Sequence, residues 1–593
     1  MKDNLIAKKS SKELLTYLWN SIDLRRKYQF IALVFLASIT SFFEVISIGI
    51  VIPYLGILTS PDIFLQNNII QKFVLYTNFN KVSDIILLLT ISFIVVTFVS
   101  GIMRMLLLWS QTRLSHAIGA DLSRDIYNKT LHQPYEVHLN RNSSEIISSI
   151  TVKVNNIVYN TILPSLRILS SILITISILI TLILIEPLIL GIASLGFFII
   201  YTILIFLVRK KLSQDSITVS EEQTRLVKIL QEGLGGIRDV LINGSQKTYL
   251  NEFSKADVLL RRSQANIHII GGIPRFGIES LAIMMVVILA YFLSTSDSGF
   301  ITAIPSLGAL ALGAQRILPL FQLVYLSWSS FRGGLDSLKD VIELIDQKIQ
   351  TTDYKKNRKK INFERLISLK GVSFRYSNTT HNILDNIDLE IKKGERIGII
   401  GETGSGKTTL IDLLMALILP NKGNFRVDST TINATNCFGW QLNLAHVPQN
   451  IYLADNSIAE NIAFGVPKNQ IDDSRIRIAA QQSQIAEKID SLDNKYDTLV
   501  GERGIKLSGG QLQRIGIARA IYKQSDVIIL DEATSALDNL TEEAVMEVIN
   551  NINKETTIVI VAHRLSSLKH CSRIIEIKNG KICEIGDFKN LEK

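Results

Sequence analysis

Long apolar runs alternate with polar, basic segments through about the first 330 residues of the chain. A helix needs about 20 mostly apolar residues to cross the hydrocarbon core of a bilayer. Six runs reach that length, and the third and fourth are separated at Glu186-Pro187. The predicted membrane-spanning helices are residues 29–56, 85–109, 161–185, 188–208, 276–294 and 301–327. The pattern therefore predicts an all-α, six-helix transmembrane domain.

Basic residues are unevenly distributed around these runs. Some precede the first run, and most of the others lie in the loop between runs two and three or in the loop between runs four and five. They are Arg25, Arg26 and Lys27; Arg113, Arg124, Lys129, Arg141 and Lys153; and Arg209, Lys210, Lys211, Arg225, Lys228 and Arg238. Loops rich in Lys and Arg face the cytoplasm. We therefore expect both termini to be cytoplasmic. We also expect residues 63–76, between the first two runs, to form a short amphipathic helix on the outer surface.

The pattern changes after a charged linker at residues 351–360. Beyond it, short strand-like and helix-like segments alternate to the end of the chain, as in an α/β domain. The two long basic loops are polar but periodic, which favours helices that extend beyond the bilayer. The predicted domains are a transmembrane domain at 1–350 and an α/β domain at 361–593.

Composition and charge agree with a membrane protein. The chain is 47% hydrophobic and 20% charged, below the roughly 25% charge of soluble domains. Its net charge of +9 comes from Lys and Arg beside apolar runs, so it favours a membrane surface and no nucleic-acid partner. The three cysteines, Cys437, Cys571 and Cys583, have neither metal-site spacing nor the pattern of a disulfide framework.

The strongest motif lies between an apolar strand at 396–400 and an apolar helix at 410–419. It has the context and spacing of a P-loop, whose backbone N–H groups and helix N-terminus hold phosphates. Lys407 is expected to contact the β- and γ-phosphates of ATP, and Thr408 to bind Mg²⁺. The expected ATP-binding residues here are Gly401, Thr403, Gly404, Ser405, Gly406, Lys407, Thr408 and Thr409.

A second apolar strand, at 527–530, ends in two acids. Asp531 is expected to hold the Mg²⁺ shell and Glu532 to polarise the attacking water. Between the two motifs lies a further turn with bare N–H groups, Ser508-Gly509-Gly510-Gln511. Since the P-loop already supplies one phosphate cradle, we expect this turn to contact ATP held by a partner chain.

These motifs, in this order, resemble the ATP-binding cassette family across essentially the whole chain. The resemblance implies that Tyr376 stacks on adenine, that Gln449 senses Mg²⁺ or water, and that His563 contacts the γ-phosphate. It also implies that residues 508–511 complete the partner's site and that residues 535–538 form the D-loop. Because no element is missing, each site of a homodimer should hydrolyse ATP. The resemblance further implies contact helices near residues 134–140 and 232–240 that carry force to the membrane domain.

Within that family, six spans before one cassette resemble the exporter-type half-transporters, which dimerise in the bacterial inner membrane. Softer similarities point to flippases of lipid-linked oligosaccharides. They are Phe43-Glu44, Arg104, Ile273-Pro274-Arg275, Arg316, Pro319, and the stretches 141–146 and 448–453.

Three ionisable residues within the apolar runs are candidates for contact with the substrate: Glu44, Arg104 and Arg316. Arginines in a cavity would suit an anionic pyrophosphate headgroup. Alternatively, Arg104 extends to the cytoplasmic interface of the membrane and Glu44 pairs with an arginine of a neighbouring helix. We expect Arg275 and Glu279 to form an ordinary i,i+4 pair.

Other functions remain open. The chain could export another lipid, a drug or a peptide. We expect no peptide export with leader cleavage, because the residues before the first span are too few for a peptidase domain and include no cysteine. Fusion of spans and cassette disfavours import with a binding protein. A non-transporting ATPase is disfavoured by the six spans, and a nucleotide-gated channel by the presence of Glu532.

Overall fold

The computed structural model describes residues 11–59, 82–185, 187–294, 300–347, 359–377, 379–534, 538–551, 554–562 and 564–586. The chain divides into two compact units. A helical unit comprises Met1–Leu131 and Arg141–Lys348. The second unit comprises the short segment His132–Asn140 together with Ile349–Lys593. The amphipathic helix expected at residues 63–76 lies outside the described residues.

The helical unit is built from long α-helices that continue well beyond the predicted spans. One of them, Val82–Leu131, has 50 residues, or about 75 Å at 1.5 Å per residue. The described helices are α1 (Ser11–Ser21), α2 (Leu24–Gly49), α3 (Val51–Thr59), α4 (Val82–Leu131), α6 (Ser143–Ser148), α7 (Val154–Ile157), α8 (Leu163–Ile185), α9 (Pro187–Gly235), α10 (Ile237–Ile242), α11 (Gln246–Ser294) and α12 (Phe300–Ile345). Two π-helical turns, Ser149–Lys153 and Val158–Ile162, join α6, α7 and α8.

The six predicted spans lie within these helices, except for Ile50 and for residues 161–162, which belong to the second π-helical turn. Among the residues that the structure describes, three helices are long and apolar enough to cross a membrane, namely Leu24–Thr59, Val82–Leu131 and Ser143–Leu184. The predicted first span is not one uninterrupted helix, because α2 ends at Gly49 and α3 begins at Val51. Pro53 has no N–H to donate to the Gly49 carbonyl, which explains the interruption.

Close contacts between small and large residues hold the helical unit together. A Cβ atom added at Gly313 would lie 2.6 Å from Cδ1 of Leu182, and one added at Gly334 would lie 2.9 Å from Cβ of Asn160. Glycine at these two positions therefore lets α12 pack closely against α8 and the π-helical turn that precedes α8. A buried apolar cluster fills the space between these helices, α2 and α4.

The second unit contains two sheets. An antiparallel sheet has the order β2-β1-β4-β5, and a six-stranded sheet has the order β10-β9-β3-β8-β7-β6, in which β10 alone among these strands is antiparallel to its neighbour. The strands are β1 (Leu366–Phe374), β2 (Leu384–Lys392), β3 (Arg396–Gly401), β4 (Lys422–Val427), β5 (Thr430–Thr431), β6 (Leu444–Val447), β7 (Val527–Asp531), β8 (Thr557–Val561), β9 (Arg573–Lys578) and β10 (Lys581–Gly586).

Helices cover these sheets and form a separate helical cluster. The described helices of the unit are α5 (Tyr135–Leu139), α13 (Lys407–Leu414), α14 (Cys437–Gln441), α15 (Ile458–Ile462), α16 (Asp473–Gln482), α17 (Ala486–Asp490), α18 (Gly509–Lys523) and α19 (Asn539–Asn551). The helix predicted at 410–419 is shorter than expected. It ends at Leu414 because Ala416 adopts a left-handed conformation, with φ of 50°.

The order of the parallel strands positions the site. β8 lies between β3 and β7, so the carboxyl ends of these three strands meet at one edge of the sheet. Ligands of open α/β sheets bind at that edge. The P-loop follows β3, and Asp531 ends β7 with Glu532 directly after it, so the fold brings these two motifs together.

Candidate functional site: an ATP site and an intramembrane ion cluster

The P-loop adopts a backbone that requires glycine. Gly404 and Gly406 have φ of 82° and 109°, which L-residues rarely adopt. A Cβ atom at Gly401 would lie 2.4 Å from the Ile577 carbonyl oxygen. Ser405 Oγ is buried and has no hydrogen-bond partner among the described residues. A buried, unpaired hydroxyl in a glycine-rich turn fits a site that binds a phosphate oxygen.

The residues that follow the turn present a cation and two hydroxyls. The buried ammonium of Lys407 donates hydrogen bonds to the carbonyl oxygens of Gly401, at 2.6 Å, and Glu402, at 3.0 Å. It is therefore held at the mouth of the loop, where a phosphate would meet it. Thr408, in the first turn of α13, is exposed, whereas Thr409 is buried. Thr403 is exposed on the loop itself.

Asp531 interacts electrostatically with Lys407 and with two other carboxylates, Glu532 and Asp412. Burial and the neighbouring Glu532 raise the pKa of Asp531, while Lys407 opposes that shift. Burial, and then the charge of Asp531, raise the pKa of Asp412 to about 6. No group of three His, Cys, Asp or Glu side chains suited to a metal occurs among the residues that the structure describes. The oxygen donors Thr408 and Asp531 nevertheless fit Mg²⁺, which takes few protein ligands when phosphates supply the others.

Glu532 is joined to a residue that lies far from it in sequence. Its main chain has φ of 50°, and its N–H donates to the Val561 carbonyl oxygen at 2.9 Å. Gln449, just after β6, donates from Nε2 to Glu532 Oε2 at 2.6 Å. Non-glycine residues with positive φ are often found at functional sites. The structure thus brings Gln449 next to the acid expected to polarise water.

The Ser508–Gln511 turn forms a capping box at the start of α18. Ser508 Oγ accepts a hydrogen bond from the Gln511 N–H at 3.4 Å, and Gln511 Oε1 accepts one from the Ser508 N–H at 3.1 Å. Ser508 and Gly509 are exposed, and Gly510 is partly exposed. The capping box gives Ser508 and Gln511 a structural role that the sequence motif alone did not reveal.

Two expected elements fall partly or wholly outside the described residues: His563, and the D-loop residues 535–537. Residues on either side of them form a network that was not predicted. Buried Glu542 accepts hydrogen bonds from Thr534 Oγ1 at 3.1 Å and Arg564 Nη1 at 3.1 Å, and also from Ser567. An acidic residue in an ordinary helical pattern gives no sequence signal of this role.

One short helix from the region before the third span belongs to the second unit. In α5, Glu136 Oε1 accepts a hydrogen bond from the Ser377 N–H at 2.9 Å, and Tyr135 packs against the apolar core of the unit. Burial, and then Asp412 and Tyr376, raise the pKa of Tyr135. Tyr376 lies edge-to-face on Phe374, with ring centroids 5.0 Å apart. Helix α5 lies where a contact helix was expected, at residues 134–140. Its role in carrying force stays a prediction, as does the contact expected at 232–240.

The three ionisable residues of the spans lie together. The carboxylate of Glu44 accepts a hydrogen bond from Ser100 Oγ at 2.7 Å and pairs with both Arg104 and Arg316. The exposed fractions of these three side chains are 2% for Glu44, 16% for Arg316 and 51% for Arg104. Glu44 is therefore a buried counter-ion, as one half of the alternative interpretation held. The other half, in which Arg104 extends to the interface, differs from the structure, since Arg104 also pairs with Glu44. The cluster has one positive charge in excess. Arg275 and Glu279 form the expected i,i+4 pair at 3.8 Å.

A P-loop ATPase cassette joined to a helical membrane unit is the class that this fold and site define. The model of the ABC transporter transmembrane region matches residues 28–303, and the ABC transporter model matches residues 384–535. The chain therefore belongs to the ATP-binding cassette transporter family, as an exporter-type half-transporter that couples ATP hydrolysis to transport.

Several relatives of this chain are ATP-dependent lipid A-core flippases. The chain is 32% identical to the ATP-dependent lipid A-core flippase of Ralstonia nicotianae over 61% of each chain. It is 28% identical to that of Pseudoalteromonas translucida over 79% of this chain and 80% of the relative. It is 32% identical to that of Legionella pneumophila (strain Paris) over 68% and 67%, respectively.

The structure of a bacterial Atm1-family ABC exporter with ATP bound is similar in fold. Its TM-score is 0.76, at 21% sequence identity and with 96% of each chain covered. The predicted fold class, a six-helix membrane domain fused to an α/β P-loop domain, is thus confirmed.

Proposed function

We propose that two copies of this chain form an ATP-driven flippase of the bacterial inner membrane. Its cargo is an amphiphile with an anionic headgroup, most specifically a lipid-linked oligosaccharide, moved from the cytoplasmic to the outer leaflet. The observation that carries the proposal is the Glu44 cluster, in which two guanidinium groups share one buried carboxylate. The relatives, which are ATP-dependent lipid A-core flippases, support transport of a lipid between leaflets.

The cluster supports an anionic cargo for an electrostatic reason. Glu44 compensates one of its two cations, and the half-exposed Arg104 has donors left for another acceptor. Guanidinium pairs bidentately with phosphate oxygens. Inside a membrane domain an excess charge is costly unless a partner neutralises it. A pyrophosphate-linked headgroup is such a partner.

The ATP site supports a homodimer. The Ser508–Gln511 turn is capped by its own residues and exposed, so it is free to face the nucleotide of a second copy. Since one chain contains both halves of such a site, two identical chains complete two sites. Lys407 then neutralises phosphate charge, and Glu532 orients the attacking water and accepts its proton. Thr408 and Asp531 would hold Mg²⁺, which neutralises charge on the phosphates.

The distribution of charge supports the orientation. Basic residues flank the ends of the predicted spans that lead into the long helical extensions, which supports a cytoplasmic location for the cassette and both termini. A C-terminal epitope that is cleaved by protease in inside-out vesicles but protected in intact spheroplasts is the expected result. The reverse accessibility would contradict this orientation.

The substrate is tested in proteoliposomes that contain the full chain. Polyprenyl-pyrophosphate oligosaccharide should stimulate ATP hydrolysis, and Arg104→Ala should reduce that stimulation more than the basal rate. Arg104→Lys keeps the charge but loses the bidentate geometry, so it should restore stimulation only in part. Arg261→Ala is the control, because Arg261 is an exposed arginine paired with Asp257 on the same helix. Stimulation that is equal in all variants would contradict a role for the cluster.

A lipid A-core glycolipid is the second candidate cargo, and the relatives favour it. The same assay separates the two, since only the cargo class should both stimulate hydrolysis and change leaflet when ATP is added. Stimulation by the lipid A-core glycolipid alone would assign the cargo to that class. No response to either amphiphile would leave an exporter of another substrate.

A further inference from the structure

A groove of about 660 Å³ lies between α2 and α4 in the helical unit. It crosses the predicted membrane boundary, since its lining includes Gln29, where the first predicted span begins, and Trp109, where the second ends. Ala32, Leu33 and Leu36 form the wall on the membrane side of Gln29. Arg113 and His116 lie on the other side of Trp109, in the polar extension of α4. The groove is therefore apolar at one end and basic at the other.

The apolar end is continuous with a surface that faces outward from the helical unit. Phe35 and Ile31 on α2 are 68% and 60% exposed, and Trp109 on α4 is 62% exposed. Large apolar side chains exposed on a membrane-spanning helix are suited to contact with acyl chains. Tryptophan is enriched where the hydrocarbon core meets the headgroups. The groove thus lies at the depth of lipid headgroups and opens toward the bilayer.

The basic end of the groove contains two arginines in different surroundings. Arg26 is already engaged, by Asp121 at 2.8 Å and by Gln29 at 3.0 Å. Arg113 is exposed, and among the residues that the structure describes it has neither a hydrogen bond nor an ion pair. No carboxylate lines the groove within the same described part of the chain. An anion is the ligand that this arrangement favours.

The groove is separate from the Glu44 cluster. Arg113 follows Arg104 on α4 by nine residues, which is two and a half helical turns. The two arginines therefore leave opposite faces of the helix. Since Arg104 points toward Glu44, Arg113 points away from the cluster that the proposed function assigns to cargo.

We propose that this groove binds an anionic phospholipid of the bilayer itself, with the chemistry of phosphatidylglycerol. On the orientation proposed above the lipid belongs to the cytoplasmic leaflet. Its phosphate contacts Arg113, and an acyl chain lies along Leu33, Leu36 and the Trp109 ring. Basic pockets between spanning helices on the cytoplasmic side are suited to anionic headgroups. This inference depends on the membrane orientation of the chain but not on the identity of the cargo.

Quenching of Trp109 fluorescence tests the proposal without ATP. The full chain is reconstituted into phosphatidylcholine that contains a small fraction of brominated phosphatidylglycerol or, in a parallel sample, brominated phosphatidylcholine. Bromine quenches tryptophan on contact, and comparison with Trp109→Phe isolates the signal of Trp109 from that of the other tryptophans. We expect brominated phosphatidylglycerol to occupy the groove about fivefold more readily than brominated phosphatidylcholine. This factor is about the preference for an anionic over a zwitterionic lipid that one basic residue near a membrane surface contributes.

Matched variants assign that preference to the groove. Arg113→Ala should bring the preference close to one, and Arg113→Lys should keep most of it because the charge remains. Arg209→Ala should leave it unchanged, since Arg209 is exposed at the end of the fourth predicted span and lies over the Phe206 ring at 4.3 Å, outside the groove. Basal ATP hydrolysis of Arg113→Ala reports whether the variant is folded.

Three results would overturn the proposal. The first is equal quenching by the two brominated lipids in the unmodified chain. The second is an equal preference in Arg113→Ala and Arg209→Ala. The third comes from a protection experiment in brominated phosphatidylcholine with unbrominated competitors. Protection of Trp109 by the lipid-linked oligosaccharide, but not by phosphatidylglycerol, would assign the groove to cargo.

Discussion

Gln449 donates a hydrogen bond from Nε2 to Glu532 Oε2 at 2.6 Å, across 83 residues of sequence. The contact links the segment after β6 to the acid at the end of β7, and these strands are neighbours in the sheet. One oxygen of the expected catalytic carboxylate is thus oriented by an amide. A variant that keeps this contact but removes the carboxylate can therefore distinguish a catalytic role of Glu532 from a structural one.

Glu532→Gln should abolish ATP turnover while leaving the fold intact. A glutamine of the same shape can still pair with the Gln449 amide, so the contact at the end of β7 survives. It cannot accept a proton from water, and loss of a general base typically costs 10²–10⁴-fold in rate. Phosphate release should fall by about that factor, with an unchanged Tm and with retention of ATP. Continued transport at full rate without hydrolysis would contradict an ATP-driven pump.

Glu44→Ala should destabilise the helical unit far more than removal of an exposed carboxylate. It leaves Arg104 and Arg316 close together without their counter-ion, and breaking a buried ion pair costs about 3–5 kcal/mol. Asp257→Ala removes the partner of Arg261 in an exposed i,i+4 pair and should cost less than about 1 kcal/mol. Thermal unfolding of both variants in detergent measures the difference. Equal Tm values would show that the Glu44 carboxylate does not hold the cluster together.

The parts of this molecule that sequence predicts well are those whose chemistry is local. Gly404 and Gly406 have positive φ values that L-residues rarely adopt, and the spacing of the motif alone predicts a glycine-rich turn at these positions. The position of Asp531 follows from an apolar strand that ends in acids. Length and hydropathy placed the six spans within helices, because a bilayer imposes a fixed length on an apolar helix.

The parts that sequence did not reveal depend on pairing across the fold. Glu44 could have contacted cargo or a neighbouring arginine, and only the packing of α2 against α4 and α12 shows that it contacts Arg104 and Arg316. Glu542 joins Thr534 and Arg564 through a contact between segments that are remote in sequence. The interruption at Ile50 depends on a missing donor at Pro53, which hydropathy does not register.

The three cysteines should differ sharply in reactivity. Burial raises the pKa of Cys571 to about 12, and it also raises the pKa of Cys437, whereas Cys583 is exposed. Because the thiolate is the reactive form, maleimide at pH 7.5 should modify Cys583 first and Cys571 only after unfolding. Peptide mapping by mass spectrometry over time measures the order. Modification of Cys571 as fast as Cys583 in the folded chain would contradict the burial of that thiol.

The same burial predicts the direction of a pH effect. Because the pKa of Cys571 is higher in the folded than in the unfolded chain, the folded state retains the proton while the unfolded state loses it above about pH 9. Stability should therefore fall as the pH rises from about 9 toward 12, and nothing should be lost at neutral pH. Cys571→Ala should flatten this decline in Tm, whereas Cys583→Ala should not.

Ser508→Ala should cost both stability and activity, and a second capping box provides the control. Ser457 caps α15 as Ser508 caps α18, with Glu460 in the place of Gln511. Loss of either hydroxyl should lower stability by about 1 kcal/mol, because each removes one N-cap. If the Ser508 turn also contacts the nucleotide of a second chain, only Ser508→Ala should reduce ATP turnover at saturating ATP by tenfold or more. Similar turnover in the two variants would mean that the turn acts as a helix cap alone, and the argument for two chains enclosing each nucleotide would lose its support.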